Sequence, residues 1–212
     1  MRDDRGMEEL SLALPAATRP HLVLVRHGET EWSRTGRHTG ATDVPLTDEG
    51  REQARRAGIA LGRREFGLVL TSPRQRARDT AALAGHPEAE VEPGLVEWDY
   101  GEYEGLTTPE ISEQVGRPWL LWTDGVPGGE TLAEVAERCR DVIDRVTPTL
   151  EAGEDVLLFA HSHLLRVFAA TWLGEPMLGR SLYLGTGAVS VLGREHGNPA
   201  VVKWNIILPA LD

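Results

Sequence analysis

Hydrophobic positions along the chain fall into short continuous runs rather than into strict alternation. Residues 22–25 (LVLV), 68–70 (LVL) and 156–159 (VLLF) are apolar at every position, so both faces of each segment must be buried. Such runs predict parallel strands covered by helices on both sides. Helix start signals follow or separate them. Ser72 before Pro73 predicts a helix beginning at Pro73, Thr47 with Asp48 and Glu49 predicts a second, and Thr131 with Glu134 forms a capping box for a long helix to about Leu150. Near the end, runs 188–192 and 201–207 joined across Gly193, His196, Gly197, Asn198 and Pro199 predict a hairpin. The fold class expected is α/β, a three-layer α/β/α sandwich with a mostly parallel central sheet and one antiparallel strand. Residues 101–129, rich in Gly, Pro, Trp and Thr without long periodicity, read as an excursion beyond the strand ends, where specificity tends to reside.

Length and charge narrow the reading. A chain of 212 residues supports one sizeable core, expected over 21–212 after a flexible N-terminal arm, 1–20. In that arm Arg2, Asp3, Asp4, Arg5, Pro15 and Pro20 break up the apolar core that a secretion signal needs. No run approaches the roughly 20 apolar residues of a membrane helix. Cys139 is alone, within the apolar stripe Leu132, Val135, Cys139, Val142, Ile143, Val146, so no internal disulfide can form and a cytoplasmic location is expected. The net charge of −11 excludes general nucleic-acid or anionic-membrane binding, which needs a basic surface. The association left open is a homodimer.

Candidate chemistry collects at the strand ends. The first strand delivers Arg26, His27 and Gly28 to the carboxyl edge of the sheet, where open α/β sheets bind ligands. Arginine clamps phosphate oxygens, a neutral imidazole attacks phosphorus, and glycine lets the backbone approach an anion. In TSPRQRARDT, Arg74 is expected in the first turn of a helix, where a cation is misplaced unless an anion joins it; Arg76 and Arg78 read as solvated. In FAHSH, His161 stands at a strand-to-helix turn, Ser162 can cap the helix and offer its N–H to an anion, and His163 reads as packing. His161 and His163 lack the carboxylate or cysteine partners of a metal site, so neither a metal nor another cofactor is expected. In LVEWDYGEYEG, Glu97 is the carboxylate expected to be buried, which suits a general acid, while Asp99, Glu102 and Glu104 read as a solvated loop. Trp98, Trp119 and Trp122 are core or lid. Tyr100 and Arg117 are expected to line a pocket with room for a second anionic group.

RHGET, TSPRQRARDT, LVEWDYGEYEG and FAHSH, in this order, resemble the histidine phosphatase superfamily on the branch that includes cofactor-dependent phosphoglycerate mutase. GRHTGATDVPLT and EWDYGEYEGLT are similar to small mutase-like acid phosphatases and sedoheptulose 1,7-bisphosphatase. The resemblance implies that His27 is the phosphorylated nucleophile, that Arg26 and Arg74 clamp the phosphate, that His161 is the second pocket histidine and that Glu97 is acid and base. It also implies that the loop holding Thr39 and Gly40 donates a backbone N–H to the phosphate. The closer likeness, to the acid phosphatases and the bisphosphatase, favours hydrolysis over isomerisation. Ser33 stands where mutases usually carry Asn and can still donate a hydrogen bond with shorter reach, while the adjacent arginine pair of mutases is missing after the Glu97 motif, with only Arg117 there, which argues against mutase activity. The implied activity is hydrolysis of small phosphate esters such as sugar phosphates through a phosphohistidine, with protonated His161 stabilising the transferring group. Phosphoglycerate mutase and a non-catalytic phosphate-binding or scaffold protein are the alternatives.

Overall fold

The computed structural model describes residues 20–210, so all but the last residue of the expected N-terminal arm lies outside the described residues. The three continuous apolar runs are strands: β1 (Leu22–Arg26), β2 (Leu68–Thr71) and β4 (Val156–Ala160). They join β3 (Glu90–Val91), β5 (Val189–Glu195) and β6 (Asn198–Ile206) in one sheet of order β3-β2-β4-β1-β5-β6. β1, β2, β3 and β4 pair in parallel, β5 runs antiparallel to β1, and β6 returns against β5 as the expected hairpin.

Side chains alternate across the sheet. Leu22, Leu24 and Leu158 face one core, built with Val135, Cys139, Val142 and Val146 of α6 (Leu132–Glu151) and Leu165 and Phe168 of α7 (Ser162–Trp172). Val23, Val25, Leu157 and Phe159 face the other, built with Ala57, Ala60 and Leu61 of α2 (Asp48–Leu61) and Ala81 of α3 (Gln75–Leu83). Both faces are thus occupied, as unbroken apolar strands require. Each buried Val, Leu or Phe in these cores contributes about 1.5–3 kcal/mol relative to exposure, and each Ala less. Cys139 lies at the centre of the first core, and burial pushes its thiol up to about 12.

The capping signals hold at two helices and shift at a third. Thr47 accepts the Gly50 N–H at α2, and Thr131 with Glu134 closes a capping box at α6. The helix expected from Pro73 starts later: Arg74 is the N-cap, with extended backbone, and helical residues begin at Gln75. The excursion after β3 contains helices the pattern did not predict, α4 (Thr108–Val115) and α5 (Leu121–Asp124), while α1 (Glu31–Thr35) follows β1. α4 is set by a capping box, Thr107 with Glu110, and stopped by Gly116 in the left-handed conformation. Eight residues are too few for hydrophobic periodicity to stand out. Among the described residues no helix is long and apolar enough to cross a membrane.

Candidate active site

The carboxyl ends of β1, β2 and β4 lie side by side, because the His27 N–H donates to Ala160 O and the Ser72 N–H to Phe159 O. This register brings His27, Ser72 and His161 together, with the two imidazole centroids 5.2 Å apart and edge to face. A cavity of about 210 Å³ opens above them, lined in part by Arg26, His27, Arg37, His38, Glu97, Tyr100 and His163.

His27 is 5% exposed. Its Nδ1 lies 2.7 Å from Gly28 O, which can only accept, so the proton is on Nδ1 and Nε2 carries the free lone pair. Burial, with the charges of Arg76 and Arg26, holds this imidazole well below the ordinary histidine range. His27 is therefore a neutral base with its nucleophilic nitrogen unbonded. Gly28 is required for packing: a Cβ there would stand 2.1 Å from Gly50 O, where the loop after β1 crosses α2, and its N–H donates to Thr80 Oγ1. This close approach replaces the anion contact expected of it.

Arg26 is half-buried, donates to Leu184 O, and leaves its buried Nε without a partner; the Nε of Arg74 is likewise buried and unpartnered. Orphaned guanidinium nitrogens are costly unless an anion completes them. Arg76, expected to be solvated, is 0% exposed. Its Nε donates to His161 Nδ1 at 3.2 Å, and its terminal nitrogens donate to the carbonyls of Thr42, Thr39 and Gly40. Arg76 therefore ties the 39–42 loop to the second histidine.

His161 was expected to be protonated, and the structure corrects this. Its Nδ1 accepts from Arg76, so Nε2 carries the proton and donates to Ser72 Oγ at 2.7 Å. Burial, then Arg76, His27, Arg74 and Arg26, hold it well below the ordinary range. His163 turns away from His161 to Tyr100 Oη, so the two do not converge as metal ligands.

Glu97 is buried at 6% exposure. Oε1 accepts the Trp98 and Leu164 N–H groups and Oε2 the His163 N–H. The carboxylate therefore caps α7 from outside, a role expected of Ser162, while His161 is the N-cap and makes no side-chain cap bond. Ser162 lines the cavity. Arg138 holds the Glu97 segment by donating to the carbonyls of Gly94, Val96 and Glu97.

Three further expectations change. The Gly40 N–H is taken by Glu104, whose carboxylate also accepts from Thr42 N, so Glu104 is a loop latch rather than solvated. Gly40 is needed there, since a Cβ would meet Trp98 O at 2.8 Å. Ser33 and Thr39 line the cavity, but the Ser33 hydroxyl is engaged with Thr30 at the start of α1 and Thr39 Oγ1 donates to Arg37 O. Arg117 is absent from the lining: it is exposed and paired with Asp124 at 3.0 Å. Arg37 lines the cavity instead. Trp98 and Trp119 are buried core residues, and Trp122 packs edge to face on Trp98.

A neutral nucleophilic histidine, unpartnered guanidinium nitrogens and one carboxylate in the lining form an arrangement built for a phosphoryl group. Comparison with known proteins agrees. The family model for the histidine phosphatase superfamily (branch 1) matches residues 22–207. An acid phosphatase of Mycobacterium tuberculosis is 45% identical over 179 residues, 83% of this chain and 87% of that protein. Sedoheptulose 1,7-bisphosphatase of Saccharomyces cerevisiae is 38% identical over 190 residues, 76% of this chain and 70% of that protein. The solved structure of an open reading frame product of Mycobacterium tuberculosis has a TM-score of 0.84 at 42% identity, covering 89% of this chain and 98% of that one. The chain belongs to the histidine phosphatase superfamily, branch 1.

Proposed function

We propose that the protein hydrolyses small phosphate monoesters, sugar phosphates among them, through a phosphohistidine at His27 and without a metal ion. The observation that carries this reading is the state of His27: buried, neutral, with Nε2 unbonded beside Arg26. Nε2 attacks phosphorus in line while Arg26, Arg74 and Arg76 balance charge on the equatorial oxygens. Glu97 donates a proton to the leaving oxygen from Oε2, the oxygen with only one backbone donor. The alcohol leaves and the phosphoryl group stays on Nε2. Glu97, now ionised, then takes a proton from water as the water oxygen attacks phosphorus, which frees inorganic phosphate and restores both groups. His161 stays neutral, held by Arg76 at Nδ1 and donating its one N–H to Ser72 Oγ. The names of the two relatives favour hydrolysis, and Arg117, expected beside a second anionic group, is absent from the cavity lining.

The test is turnover together with trapping. The wild type is expected to release phosphate from p-nitrophenyl phosphate with or without chelator, and to yield a phosphoprotein that survives alkali and is lost in acid. His27→Ala should lose both. Retained turnover in His27→Ala, loss of activity on chelation, or conversion of 3- to 2-phosphoglycerate in place of phosphate release would each overturn the proposal.

A further inference from the structure

The cavity also carries two histidines that the mechanism does not use, and the hydrogen bonds of each fix its tautomer. His38 Nδ1 lies 2.9 Å from Leu106 O. A carbonyl only accepts, so Nδ1 bears the proton and Nε2 is an acceptor. His163 Nδ1 lies 2.6 Å from Tyr100 Oη. Tyr100 is 2% exposed, burial beside Glu97 raises its phenol well above the ordinary range, and its O–H has no other acceptor among the described residues. The phenol therefore donates to Nδ1 and leaves the proton of His163 on Nε2. Burial keeps both imidazoles neutral.

His38 and His163 thus present opposite functions. Both line the cavity, with rings parallel to within 8° and centroids 6.1 Å apart. Among the described residues neither Nε2 makes a hydrogen bond, and neither is a buried unsatisfied atom, so both are open to the cavity. The lone pair and the N–H lie in the planes of two near-parallel rings, an arrangement that suits two neighbouring hydroxyls, one giving its proton to His38 Nε2 and the other accepting from the His163 Nε2–H. It offers no charge to a carboxylate and no apolar wall to an alkyl chain.

We infer that His38 and His163 form a hydroxyl-binding subsite that selects polyhydroxylated leaving groups, with Tyr100 and Leu106 fixing their tautomers. The inference rests on the phosphatase reading and assigns its leaving-group specificity. His38→Asn keeps a side-chain N–H for Leu106 O but loses the acceptor at the Nε2 position; His38→Gln keeps a polar atom near that position. The readout is kcat/KM for ribose 5-phosphate and erythrose 4-phosphate relative to p-nitrophenyl phosphate, which has no hydroxyl to bind. In His38→Asn this ratio should fall about tenfold, the worth of a hydrogen bond or two, and His38→Gln should recover part of it. An unchanged ratio, an equal loss on all three esters, or a wild type that hydrolyses only the aryl ester overturns the subsite while leaving the phosphatase reading intact. A wild type that hydrolyses none of them overturns both.

Discussion

Arg76 shows how much of the chemistry depends on one side chain's partners rather than its charge. All three guanidinium nitrogens are used, on His161 Nδ1 and on the carbonyls of Thr39, Gly40 and Thr42, in a site with no exposure. The planar fork makes those bonds at fixed angles, and a lysine ammonium cannot replace it. Arg76→Lys should therefore lower kcat/KM by on the order of 10²-fold despite keeping the charge. Arg78→Ala, two residues on and exposed, should change it less than twofold. Steady-state kinetics on p-nitrophenyl phosphate checks the pair. Equal, small effects would mean that Arg76 contributes only its charge. The position was legible in principle: Arg76 shares the buried face of α3 with Ala77, Thr80 and Ala81 at helical spacing. A reading by residue type sets every helix arginine in solvent, whereas a reading by face would have placed this one inside.

At the scale of elements, Glu97 joins the segment after β3 to the start of α7 by accepting from His163 and Leu164. One carboxylate positions the helix that follows His161 and serves the reaction. In Glu97→Gln the amide can still accept on one oxygen, but its N–H₂ group faces backbone donors. Loss of the proton donor should lower kcat/KM for an alkyl phosphate by about 10²- to 10⁴-fold, and that for p-nitrophenyl phosphate much less, because its leaving group departs without a proton. Comparing kcat/KM for the two esters measures this, since it reports phosphoryl transfer to His27 and not the later hydrolysis that both esters share, and an equal loss on both would mean that Glu97 does not protonate the leaving group. The strands and the capped helices α2 and α6 were readable because burial on both faces and local capping chemistry are written in consecutive residues. The cap on α7 was not, since its donor and acceptor are 66 residues apart. The same holds for the Glu104 latch on Gly40, across 64 residues. Arg117 failed for the converse reason: an arginine near the right segment was read as a ligand, while its partner Asp124 stood seven residues away.

Over the whole molecule, the site concentrates positive charge and neutral histidine inside a chain of net charge −11. This carries a cost in acid that can be worked out by sign. His27 and His161, at 5% and 0% exposure, are held well below 6.5 by burial and by neighbouring arginines. In the unfolded chain each binds a proton as pH falls through about 6.5. Between that value and the lower folded one the unfolded state holds more protons, so stability rises with pH. The contribution is complete above about 6.5 and is lost as pH falls below it, with a slope of at most about 1.4 kcal/mol per pH unit for each histidine. Urea midpoints at pH 7.5, 6.5 and 5.5, a window in which ordinary carboxylates stay ionised, should therefore fall mainly over the last step. Replacing His27 and His161 together with Asn should make that step shallower, leaving the part due to His38, His86 and His163, which burial also lowers. An unchanged slope in the double variant would mean that the acid sensitivity arises elsewhere, and that the two imidazoles titrate alike folded and unfolded, which is incompatible with a neutral His27 poised as nucleophile.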